Sequence, residues 1–169
     1  MGGVYLLLAA MLRPDQFEAI VLVAPSGLLR HDSFFGLVGR LNRKVLLSIK
    51  LAVGDPSLRM ATWVSIREGL RYALTNPWRA YQEARSLPGI QTRSWIEALR
   101  KRGMKVYVVL AADDVIYPMD QIDWVYDVVD GFDVLDPGQH DAWFYPDRLA
   151  RAIRSLIGSA TPAPGGFPQ

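Results

Sequence analysis

Apolar and polar positions along the chain fall into two kinds of run. Residues 2–13 are dominated by Leu, Ala and Met and predict a helix. Pro14 ends it, because proline offers no N–H to the hydrogen-bond ladder. Residues 17–24 then form an almost unbroken apolar stretch and predict a strand. A strand apolar on both faces belongs inside a parallel sheet with helices over each side. Ala24-Pro25-Ser26-Gly27 breaks that run as a turn.

From 33 to 102 the pattern is helical throughout. Leu37, Leu41, Val45 and Ile49 recur every four residues, while Arg40, Arg43, Lys44 and Lys50 occupy other faces, so this first helix is amphipathic and basic. Asp55-Pro56-Ser57 restarts a second helix over 57–75. Asn76 is placed to cap a third that opens on Pro77. A fourth runs over 91–101, and Gly103 closes it.

Beyond this block, residues 104–111 predict a second strand, ending in Ala112-Asp113-Asp114. A helix is expected over 119–128, a third strand over 131–135 and a last helix over 146–157, while 159–169 have the composition of a disordered tail. Strand, helical block, strand, helix, strand, helix is the order of an α/β fold with a parallel sheet and an all-helical insertion. The division is therefore a core of 1–32 and 103–158, an insertion of 33–102, and a tail of 159–169. A turn, helix and strand at the start call for a strand ahead of them, so the chain is expected to begin in the middle of a fold.

Composition narrows the chemistry. The 169 residues suffice for one domain with a core, half of them are apolar, and there is no cysteine. Disulfides, thiolate metal sites and cysteine nucleophiles are thereby excluded. Only two histidines are present, at neither His-x-x-x-His nor His-x-Glu spacing, so no metal site is expected. Nineteen basic against 17 acidic residues leave a net charge of +2, without the concentrated basic stripe of a nucleic-acid binder. No Gly-x-Gly-x-x-Gly or phosphate-binding loop occurs, so no cofactor is implied. Residues 5–11 lack the basic flank of a signal peptide, and no apolar run is long enough to span a bilayer, which reads as a cytoplasmic protein.

In a parallel sheet, functional groups collect at the carboxyl ends of strands. Asp113 and Asp114 end the second strand, and His140 follows the third. A histidine at one strand end with a carboxylate at its neighbour's end is the base and orienting partner of a nucleophilic triad. His31, beside Asp32, reads as a loop histidine. Ser26 also follows a strand, but Pro-Ser-Gly is a turn rather than a strand-to-helix elbow, so it is a poor nucleophile candidate.

Three segments carry a resemblance. Met1-Gly2-Gly3, followed by a helix, looks like the second half of a Gly-x-Ser-x-Gly nucleophile elbow. Asp114-Val115-Ile116-Tyr117-Pro118 is similar to the family segment Gly-x-x-Asp-x-x-x-Pro, with Ala111 where glycine is common. Asp136-Pro137-Gly138-Gln139-His140 resembles the segment that delivers the family's histidine. The family is that of the α/β-hydrolases, and the likeness covers the C-terminal half of its fold, with 33–102 standing where its cap lies.

The resemblance implies an esterase- or lipase-like serine hydrolase. Asp114 is then the triad acid, His140 the base, and Met1 the residue whose amide serves the oxyanion hole. The serine is expected one position ahead of Met1, so this chain alone is expected to be inactive. An apolar acyl ester is the expected substrate, given the apolar helical cap. Contact of the basic helix 37–53 with a lipid or membrane surface, and self-association through the open edge of the strand 17–24, are the further partner expectations. Two alternatives stand beside this reading: a non-catalytic fragment that binds a partner, and an epoxide- or haloalkane-type hydrolase with an aspartate at the elbow.

Overall fold

The computed structural model describes residues 2–29, 32–90, 92–136, 140–142 and 145–160. Its centre is β2 (Lys105–Ala111), where alternation of side chains meets two different layers. Val106, Val108 and Leu110 point to one face and join Leu7, Ile20, Leu22, Ile96 and Leu99 in the larger core. Tyr107 and Val109 point to the other, against Leu135, Ala152 and Leu156. A strand coated on both sides in this way needs apolar residues at successive positions, as the sequence has from Val106 to Ala111.

The sheet order is β1-β2-β3, with β1 at Ala19–Val23 and β3 at Gly131–Leu135, and both pairings are parallel. Val23 pairs with Val109 and Leu135 with Ala111, so all three strands deliver their carboxyl ends to one edge of the sheet. Helices α1 (Gly2–Leu12) and α5 (Thr92–Lys101) cover the first face, and α7 (Pro146–Ala160) covers the second. Between β1 and α5 lie α2 (Phe34–Gly54), α3 (Arg59–Thr75) and α4 (Pro77–Ser86), the helical insertion. None of the helices among the described residues is long and apolar enough to cross a membrane.

Five expectations need correction. β1 was expected to be covered by helices on both faces, but only one of its faces is fully buried. It buries Ile20 and Leu22, while Val21 is half-buried and Val23 is 36% exposed. The helix expected over 119–128 is broken into a single turn, Met119–Gln121, and α6 (Val125–Val128). Between them the Asp123 carboxylate accepts the Trp124 N–H at 2.8 Å, a local bond that competes with the helix. Trp124 is also held by its indole N–H, which donates to the Leu28 carbonyl at 2.7 Å. Asn76 does not cap α4, since its amide donates to Thr75 Oγ1 at 2.9 Å instead. The fourth helix of the expected insertion, α5, instead covers the sheet, with Ile96 and Leu99 in its core, and Gln91, its expected start, lies outside the described residues. The last helix runs on to Ala160, past the expected end at 157, and the rest of the expected tail, 161–169, lies outside the described residues.

Other local signals act as the pattern implied. Ser33 Oγ accepts the Gly36 N–H at 3.0 Å and starts α2, and Gly103, at φ 83°, turns the chain out of α5 toward β2. Asp130 leads into β3. Burial pushes its carboxyl up, but the Val106 N–H and the Arg100 and Lys105 charges outweigh this and hold it below 3.8. A carboxyl depressed on folding stabilises the protein above its unfolded pKa, and that contribution is lost as pH falls through the folded value. Replacing Asp130 with asparagine should therefore flatten the acid limb of stability below about pH 4, as followed by urea unfolding at successive pH values.

Candidate active site

Asp114 sits in the turn after β2, where its own N–H bonds to the Ala111 carbonyl at 3.2 Å. Its Oδ1 accepts two backbone N–H groups, from Ile116 at 2.7 Å and Tyr117 at 3.1 Å. Oδ2 is left to face the next strand end, where His140 Nδ1 lies 2.8 Å away. The residue is only 6% exposed. Asp114 is thus both turn residue and imidazole partner: the two bonds that shape the turn also fix the oxygen that meets the ring. With the carboxylate ionised, Nδ1 carries the proton and Nε2 presents its lone pair. Among the described residues nothing hydrogen-bonds Nε2.

Asp113, one residue earlier, is exposed, and its carboxylate lines an open cavity of about 630 Å³ with Arg43, Leu47 and Leu51 of α2. Of the two adjacent aspartates, Asp114 meets the ring and Asp113 is exposed to solvent.

The strand end of β1 closes the site from the other side. Ala24 leaves the strand at φ 39°, and Gly27 follows at φ 81°. A Cβ on Gly27 would stand 2.6 Å from the Ile90 carbonyl oxygen, so no larger residue fits. Gly27→Ala should lower stability by at least about 1–2 kcal/mol from the left-handed backbone alone, with the collision added. A shift of the urea midpoint is the measurement. Pro25 packs beneath Gly3, where a Cβ would come within 3.1 Å of the proline Cβ. The amino end of α1 is thereby seated at the carboxyl end of β1, the same sheet edge that carries Asp114 and His140.

Several residues at this edge were not anticipated. Tyr117 is buried with its ring 5.6 Å from that of His140. Burial raises its phenol pKa, against hydrogen bonds from the Ser26 side chain and the Gly27 backbone. Ser26 is thus engaged with Tyr117 rather than with the histidine. Two ion pairs join α2 to the rim: Arg40 with Asp32 at 2.6 Å, and Lys44 with both oxygens of Asp141 at 2.7 Å. Arg40 and Lys44 are one helical turn apart, a spacing visible in the sequence, but nothing there shows which acids they meet. Met1 and His31 lie outside the described residues. Among the described residues, no three His, Asp or Glu side chains are grouped to hold a metal ion.

Comparisons with protein-family models, curated proteins and solved structures find no match to this chain.

Proposed function

We propose that this chain supplies the acid–base part of a serine hydrolase of the α/β-hydrolase type, acting in the cytoplasm on an acyl ester. The observation that carries the reading is the 2.8 Å contact of Asp114 Oδ2 with His140 Nδ1, at the carboxyl ends of adjacent parallel strands. The amino end of α1, where the elbow-like Met1-Gly2-Gly3 stands, rests on the same edge through Gly3 and Pro25. In this reading the nucleophile is a serine directly ahead of Met1, and the Met1 amide donates to the oxyanion.

The chemistry follows from the pair. Nε2 accepts the serine proton as Oγ bonds to the ester carbonyl carbon, and Asp114 stabilises the imidazolium that forms. The imidazolium then returns the proton to the departing alkoxide, leaving an acyl-serine. Water attacks this ester in turn, its proton passing to Nε2 and on to serine Oγ as the acid leaves. A form carrying Gly-x-Ser directly ahead of Met1 should hydrolyse p-nitrophenyl esters, whereas the chain starting at Met1 should not. Equal rates for the two forms would overturn the reading.

A second reading, a partner-binding protein, is favoured by one feature. β1 is an edge strand whose Val23 remains exposed, and such an edge can accept another strand. It predicts concentration-dependent association that a Val21→Pro change removes.

A further inference from the structure

Helices α2 and α3 line a partly open cavity of about 520 Å³, within the roughly 300–1,000 Å³ usual for small-molecule sites. Its walls are mainly apolar, with Ile66 and Leu70 on α3, and Asp141, the neighbour of His140, closes one end. Two features of the lining are otherwise unfavourable. Ser48 is 5% exposed, yet among the described residues its hydroxyl has no hydrogen-bond partner, not even the carbonyl one turn back. A buried hydroxyl without a partner is destabilising, and a helix normally relieves it by that backward bond. Gly69 sits inside α3, where glycine is the weakest former after proline, and a Cβ there would meet nothing within 4 Å. Gly69 is exposed, so the cavity opens to solvent at this point, and a donor is left without a partner in the same cavity.

We infer that this cavity holds an alkyl chain bearing one acceptor oxygen, which receives the Ser48 hydroxyl proton, and that it seats the apolar part of the ester substrate. The assignment to substrate rests on the proposed hydrolase reading, while binding itself does not. The Lys44–Asp141 pair makes the end near His140 polar, so the chain's apolar end lies toward Ile66 and Leu70.

The test uses 2-octanone and 2-methyl-1-octene, which match in shape and differ in one carbonyl, titrated into the isotope-labelled chain and followed by amide chemical shifts. The ketone should saturate and bind at least about fivefold more tightly, as one net hydrogen bond of about 1 kcal/mol requires. Ser48→Ala should erase that preference without weakening the alkene. Gly69→Leu should weaken both probes about tenfold or more, and Gly69→Ala, which a helix tolerates readily, should weaken them less. Absence of saturable binding, unchanged binding in Gly69→Leu, or a ketone preference that survives Ser48→Ala would each overturn the inference. Ester hydrolysis by the serine-bearing form separates the two claims. Ketone binding without turnover sinks the hydrolase reading and keeps the pocket. Turnover of every ester chain length unaffected by Gly69→Leu does the reverse.

Discussion

His140→Ala, placed in a form with Gly-x-Ser directly ahead of Met1, should lower kcat for ester hydrolysis by about 10⁴- to 10⁶-fold, with KM nearly unchanged. In the proposed reading the imidazole accepts the serine proton, so its loss would remove the activated nucleophile and leave substrate contacts alone. Asp114→Asn should also be severe, about 10⁴-fold, because an amide nitrogen facing Nδ1 selects the wrong tautomer. Its Oδ1 bonds to Ile116 and Tyr117 can persist in asparagine, so the turn should survive. Asp113→Asn is the control: its exposed carboxylate makes no contact with the ring, and the rate should stay within about twofold. A rate in His140→Ala close to that of the parent would remove the triad assignment outright, whatever the protein's other activities.

Much of this arrangement was legible before any coordinates, and the reason lies in which forces are local. β2 carries six consecutive residues, Val106 to Ala111, that suit a strand buried on both faces. Asp114 and His140 could be placed at strand ends because each lies in the short polar segment that follows an apolar run. How fully β1 is covered was harder to read. Its apolar pattern is that of an inner strand, and the sheet order depends on which neighbours are present rather than on the strand's own residues. The break near Ile122 turned on a side chain of Asp123 bonding its neighbour's N–H, and on Trp124 reaching Leu28 almost a hundred positions away. Tyr117 was equally invisible: it appeared as a filler position between Asp114 and Pro118, and only the fold sets its ring against His140. Charge pairing between α2 and the rim has the same character, since Lys44 and Asp141 are brought together across the whole insertion.

That last pair sets the second large effect, on stability. Asp141 is the more deeply buried member, with its side chain 2% exposed against 18% for Lys44, and Lys44 supplies its salt bridge. Removing either partner from a buried pair is expensive, but here the two losses should differ. Lys44→Met leaves a carboxylate in the interior without its cation and should lower unfolding free energy by about 3–5 kcal/mol. Asp141→Ala leaves an ammonium on a flexible stem that can withdraw toward solvent, so about 1–2 kcal/mol is expected. The double variant Lys44→Met with Asp141→Leu should recover most of the loss, since apolar groups of similar volume need no partner. Urea unfolding of the four proteins at neutral pH closes the cycle. Equal losses in the two single variants would show that the pair acts as a solvent-screened surface bridge, and that α2 is held over His140 by apolar packing instead.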